Sequence, residues 1–226
     1  MKAKEIFINL LTGVLLCFGS ISYAQYSNSD NGIWNSRTYF SGGLCVPMGA
    51  FNTDLGATIG YSGDVGTMFF LNKIPMSDNM RIGINVNWLD AEYISIDLPS
   101  AFNYGDGYYA AAGVKLGALF SYSPANKMNL DVYFNLNPSY STSLLPISND
   151  ILDGFSLREN IGLNFRYSHL LVGTDFNFGK LKYERYMYNT TNFSSTYFRV
   201  RLGFVFNKKS KSNTGGQNNK QPNNYQ

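Results

Sequence analysis

With 226 residues, 18 basic against 15 acidic side chains and a formal charge of +3, the chain lacks the cationic footprint of a nucleic-acid binder. One histidine and two cysteines exclude a metal-ligand cluster and a disulfide framework, and no cofactor motif is present. Aromatics and glycine are abundant (17 Tyr, 17 Phe, 22 Gly), yet past the first residues no apolar run is long enough to cross a bilayer as a helix.

The chain opens Met1-Lys2-Ala3-Lys4, continues with an apolar run from Ile6 to Phe18, and reaches Ser22-Tyr23-Ala24 before Gln25. A basic start, a short apolar stretch and small residues at the cut predict a secretory signal peptide over 1–24. Cys17 follows Leu16, where a lipidated cysteine would need a small residue, so it is expected to leave with the signal. That cleavage removes Lys2, Lys4 and Glu5, leaving 16 basic and 14 acidic residues in 202. Cys45 then stands alone and reads as a small apolar wall residue. The polar segment 25–36 reads as loose, and the remaining length suits one domain.

From residue 37 onward the recurrent signal is alternation. Two weaker strands are predicted near 37–47 and 64–73. Ile82, Ile84, Val86 and Trp88 then alternate with Arg81, Gly83, Asn85 and Asn87, and Ala110 through Tyr122 alternate with Ala111, Gly113, Lys115, Gly117 and Ser121, Leu119 being the exception. Leu130, Val132, Phe134 and Leu136 oppose Asn129, Asp131, Tyr133, Asn135 and Asn137. Ile161, Leu163, Phe165 and Tyr167 oppose Asn160, Gly162, Asn164 and Arg166, and Val172, Thr174, Phe176 and Phe178 oppose Gly173, Asp175, Asn177 and Gly179. The last run is the clearest: Phe198, Val200, Leu202, Phe204 and Phe206 share one face, and Arg199, Arg201 and Gly203 share the other. Period 2 assigns each set to one side of a sheet. Runs of about 9–11 residues are long enough to cross a bilayer as tilted strands, and only a closed barrel satisfies their backbones there.

The fold class predicted is all-β: a transmembrane antiparallel up-and-down β-barrel of eight strands over 37–206. Short turns at Lys73–Asn79, Ser123–Lys127 and Ser168-His169 are assigned to the periplasm, and longer loops at about 47–63, 97–106, 141–155 and 185–195 to the outside. Tyrosines near strand ends, such as Tyr108, Tyr122, Tyr140 and Tyr167, suit interfacial girdles. Residues 207–226 carry four lysines and no acid, and predict a disordered basic periplasmic tail.

These strands, the Ala24-Gln25 cut and the terminal Gly203-Phe204-Val205-Phe206 resemble the small outer-membrane β-barrel family, in the version common in Bacteroidota. The resemblance implies residence in the bacterial outer membrane, contact with its lipid and lipopolysaccharide, and reading of the last strand by the barrel-assembly machinery. The family's typical chain stops at the terminal Phe, whereas this one continues, which offers a basic tail to a periplasmic partner. Small barrels that are enzymes use His with Ser or an acid near the outer leaflet. Here His169 lies in a predicted periplasmic turn, so no catalytic residue is assigned.

Polar parity places Arg81, Lys115, Asp131, Arg158, Arg166, Asp175, Arg199 and Arg201 in the lumen, where buried charges must pair or stay hydrated. An eight-stranded barrel is just wide enough for side chains to fill, which favours a plug over a pore. Asp54, Asp64, Asp97, Asp106, Asp150 and Asp153 are expected in the outer loops. The same parity expects Leu202→Arg to impair assembly and Gly203→Ser to be tolerated better. The function that follows is a non-enzymatic barrel with a structural or surface-interaction role. The alternatives are a narrow channel or a subunit of a transport or secretion complex, and a soluble lipocalin-like barrel, which would need its apolar face inside.

Overall fold

The computed structural model describes residues 34–54, 56–74, 76–97, 107–125, 127–145, 150–184 and 190–207. The expected signal peptide, nearly all of segment 25–36 and the tail past Asn207 lie outside them. The strands are β1 (Arg37–Met48), β2 (Ala57–Phe70), β3 (Met80–Ile96), β4 (Gly107–Ala125), β5 (Met128–Leu145), β6 (Asp150–Tyr167), β7 (Leu170–Glu184), β8 (Thr190–Ser194) and β9 (Thr196–Asn207), with one short helix, α1 (Ala50–Thr53). Neighbours pair antiparallel, and β9 returns to β1 from Arg37↔Asn207 to Met48↔Thr196, closing the wall. Strands β8 and β9 hold one register against β7, Lys180↔Ser194 continuing Asn177↔Tyr197, with the Ser195 amide donating to the Gly179 carbonyl at 3.0 Å. They count as one interrupted strand, so the barrel is all-antiparallel, up-and-down and eight-stranded.

The pairings wind around it as a helix. From Arg37 they run through Met68, Asn85, Gly117, Asn135, Asn160, Asn177 and Tyr197 to Pro47, ten residues further along β1. A stagger of that size tilts the strands by about 40°. The β4–β5 and β6–β7 turns are tight, and Lys127 and Ser168 take left-handed φ of 70° and 56° there, as two-residue hairpins favour.

Burial is inverted relative to a soluble protein. Phe40, Leu116, Phe134, Leu157, Leu163, Val172, Leu202 and Phe206 are exposed on the outside, while arginines, aspartates and asparagines are buried inside. No aqueous protein tolerates such an apolar belt over such an ionic centre. A closed wall of this kind is a membrane-spanning barrel, the architecture of outer membranes, and the soluble lipocalin-like alternative is overturned.

Several expectations need correction. The loops expected at 47–63 and 141–155 are largely ladder, since β2 starts at Ala57, β5 runs to Leu145 and β6 starts at Asp150. The wall from β3 to β6 has strands of 17–19 residues, longer than a bilayer needs, so it projects beyond the membrane. Trp34, within the segment read as loose, is buried, and its indole N–H donates to the Asp78 carbonyl at 3.2 Å. Cys45 is apolar in its surroundings but faces the lumen. Leu119 also points inward, which explains its break with the alternation.

Gly203 faces the lumen, but a β-carbon there would stand 2.6 Å from Ser41 Cβ and 2.9 Å from Ser41 Cα. The β1–β9 seam is therefore too close for serine, and the expected tolerance of Gly203→Ser is overturned. Elsewhere a missing side chain makes room for a ring: Tyr39 lies over its cross-strand partner Gly66, and Tyr133 over Gly162. Gly162→Ala should displace the Tyr133 ring and cost about 1–3 kcal/mol, as overpacking does. Urea unfolding of the refolded barrel checks this, and an unchanged midpoint would refute the slot.

Candidate functional site

The lumen is the one place where the described chemistry converges, and it is built in layers. At the outer mouth α1 folds over the opening and inserts Phe51 edge-on against Tyr109, with ring centroids 5.4 Å apart. Cys45, Ala57, Ile94, Ile96 and Tyr197 complete this apolar cap.

Beneath it Arg158 and Glu92 form a pair at 2.5 Å. The Arg158 guanidinium also donates to the Tyr109 and Tyr197 hydroxyls and to Ser139 Oγ, each at 3.2 Å.

The centre holds six charges in one connected cluster. Arg199 bridges Asp90 at 2.7 Å and Asp175 at 3.0 Å, Arg201 bridges Asp64 at 2.5 Å and Asp175 at 2.9 Å, and Lys115 Nζ lies 2.9 Å from Asp90. Three cations thus face three carboxylates, and amides take up the remaining lone pairs. Asn87 donates to Asp64 at 2.9 Å, Asn137 to Asp90 at 3.2 Å and Asn160 to Asp175 at 3.0 Å. Burial of this many charges is tolerable only when they are paired and hydrogen-bonded.

Toward the periplasm Arg166 meets Asp131 through two bonds, at 2.5 and 2.8 Å, with Ser121 donating to the same carboxylate at 2.6 Å. Around them Trp34, Met68, Phe70, Leu119, Leu171 and Val205 form a second apolar plug, with Trp34 edge-on to Phe70 at 5.4 Å and the Arg166 guanidinium over the Phe70 ring.

Of the residues assigned to the lumen from the sequence, Lys115, Asp131, Arg158, Arg166, Asp175, Arg199 and Arg201 are buried there. Arg81 is not with them. It sits at the periplasmic rim, donating to the Ser77 and Met80 carbonyls at 2.7 Å each and lying over the Trp34 ring. Asp64, expected in an outer loop, is a central member of the cluster, because β2 already runs inside the barrel at that point. Asp54, Asp97 and Asp153 are exposed, Asp153 accepting from the Tyr140 hydroxyl, whereas Asp106 lies outside the described residues and the Asp150 side chain is not described.

Asp90 and Glu92 escape sequence parity for a physical reason. The register of β3 slips against both neighbours between Asn87 and Asp90, at a bulge that includes Trp88. Odd residues face inward before it and even residues after it. Two acids in what simple alternation makes a lipid-facing run were the available signal, since a carboxylate in hydrocarbon is costly.

No protein-family model and no curated protein matches the sequence. The fold is similar to solved outer-membrane proteins at low identity. The attachment invasion locus protein Ail of Yersinia pestis is 9% identical, with 76% of this chain and 99% of that chain covered and a TM-score of 0.39. Neisserial surface protein A is 9% identical over 75% and 93%, with a TM-score of 0.42. A major outer membrane protein of Thermus thermophilus is 12% identical over 76% and 98%, with a TM-score of 0.43.

Proposed function

We propose that this chain is a non-enzymatic barrel of the bacterial outer membrane, with a structural and surface-interaction role carried by its rigid wall and its projecting outer sheet. One observation carries the reading: among the described residues the lumenal side chains are buried, with a neutral ionic cluster between an apolar cap and an apolar plug. A wall that spends its whole interior on packing leaves the outer surface to do the work.

That surface is equipped for contact. Tyr61, Tyr93 and Tyr108 line adjacent strands near the outer interface, Tyr93 stacking on Tyr108 at 6.0 Å. Such amphipathic rings suit lipopolysaccharide at headgroup level. The final strand, with Phe204 and Phe206 outward, suits recognition by the barrel-assembly machinery, and the basic residues past it suit a periplasmic partner.

Planar-bilayer recording tests the plug directly. The refolded barrel should give no unitary conductance, and a steady conductance step would overturn this reading in favour of the channel. His169 supports the non-enzymatic half. It occupies the β6–β7 periplasmic turn with its Nδ1 donating to the Val205 carbonyl at 3.0 Å, far from any outer-leaflet substrate. His169→Ala should therefore leave the lipid A profile of the cells unchanged by mass spectrometry, and a loss of a lipid modification would refute it.

A further inference from the structure

The outer mouth is closed by a part that is fastened differently from the wall. α1 lies between Gly49 and Gly56, which take left-handed φ of 57° and 64°. Its backbone bonds stay within the turn: the Asn52 and Thr53 amides donate to the Gly49 carbonyl, the Asp54 amide to Ala50 and the Gly56 amide to Asn52. Ala50, Asn52, Thr53 and Asp54 are exposed, and Phe51 alone is buried. Other ties sit close to the pivot, where Asn52 Nδ2 donates to the Ala57 carbonyl at 2.8 Å and the Asp97 amide to the Gly56 carbonyl at 2.9 Å. One aromatic side chain therefore pins a self-contained turn over the bore, and the turn can lift about its glycine ends without giving up its own backbone bonds.

Under the turn is a seat for one ring. Tyr109 stands edge-on to Phe51, and Cys45, Ala57 and Ala111 contribute small side chains to the same buried cluster. Below the seat the lining becomes polar. Glu92 is the next inward residue of β3 after Ile94, about 7 Å along the strand, and it lies cross-strand from Ala111. Its Oε1 takes the Arg158 guanidinium, whereas its Oε2 is buried and accepts from none of the described residues. A buried carboxylate oxygen left without a donor is costly.

We propose that the seat of Phe51 is a binding site for a small neutral aromatic molecule carrying a hydroxyl or N–H group, closed in the free protein by α1. The ring follows from what fills the seat now, since Phe51 stands where the ligand's ring would. The donor follows from Glu92 Oε2, which lies beneath the seat and lacks one. Neutrality follows because Arg158 and Glu92 already balance each other, so a further buried charge would have no counter-ion. The six charges of the central cluster stay locked beneath, so the site is a blind chamber entered from outside, and filling it opens no pore. Closure by α1 lowers the apparent affinity in proportion to the fraction of molecules in which the turn stands open.

The test is fluorine NMR titration of the purified barrel in detergent with para-fluorophenol, fluorobenzene and para-fluorobenzoate. The wild type should bind para-fluorophenol saturably, one molecule per barrel, and more tightly than either of the others. Phe51→Ala removes the ring that occupies the seat and should tighten that binding at least tenfold. Phe51→Ala combined with Ala111→Leu, which fills the seat from β4, should lose it, and this separates the seat from the micelle. Heat-modifiable migration verifies that each variant is folded. Equal affinity of the wild type and Phe51→Ala, saturable binding that survives Ala111→Leu, or no preference for the phenol would overturn the site. Binding by Phe51→Ala without binding by the wild type would mark a cavity made by the substitution, and would overturn it as well.

Discussion

Glu92→Leu is expected to destabilise the barrel by about 3–5 kcal/mol, because it strands a fully buried arginine. Glu92 is the carboxylate paired with Arg158, and the remaining partners of that guanidinium are the hydroxyls of Tyr109, Tyr197 and Ser139. Hydroxyls solvate a cation without neutralising it. Asp64→Asn should cost less, since Arg201 keeps Asp175 at 2.9 Å and the rest of the cluster keeps its bridges. Combining Glu92→Leu with Arg158→Met should recover much of the loss, because replacing a buried pair by apolar groups of similar size is often neutral or better. Urea unfolding midpoints in lipid vesicles measure each of these variants against the wild type. If Glu92→Leu and Asp64→Asn proved equally mild, water must reach the lumen and the packed interior would be wrong.

Leu202→Arg should be the second large effect, at about 2–4 kcal/mol for an arginine near the bilayer midplane. Leu202 is 67% exposed on the outer face and sits in the middle of β9, paired with Gly42 and Val172. Its side chain therefore meets lipid, beside the outward Val200 and Phe204 of its own strand. Leu202→Phe keeps the face apolar and should assemble normally. The yield of heat-modifiable barrel in isolated outer membranes distinguishes them, and normal assembly of Leu202→Arg would mean that the two faces of β9 are reversed.

What could be read in advance depended on whether a strand had two chemically distinct faces. From Phe198 to Phe206 large apolar groups alternate with arginines, so both strand and inward face were legible, and the same held for Asn160 to Tyr167. In the upper half of β5 the inward residues are Ser139, Ser141 and Ser143 and the outward ones include Tyr140 and Thr142. Polar faces polar there, and the ladder reads as loop. The cluster was half legible for a related reason. Arg199, Arg201 and Asp175 lie in regular alternation, but Asp90 and Glu92 lie past a bulge, and Asp64 lies on a glycine-rich strand with little pattern. The partners that matter most, such as Asp90 for Lys115, are set by inter-strand register, which no local window contains. Nor does period 2 reveal that Phe51 and Trp34, from outside the strands, would stopper the two ends.

The Trp88 bulge separates two properties that are easily taken for one. The extra residue on β3 is counted once against β2 and once, in the opposite sense, against β4. Below the bulge Met68 leads through Asn85 to Gly117, and above it Asp64 leads through Asp90 to Gly113, so a step along β2 is matched by an equal step along β4. Circumference is thus a property of the whole ring, whereas facing is a property of one strand segment. A single-residue insertion or deletion in a strand can carry a charge from the membrane to the interior, or the reverse, while the girth of the barrel stays fixed. Lineages of such barrels are free to rewrite their interiors one segment at a time without ever reopening the question of how the ring closes.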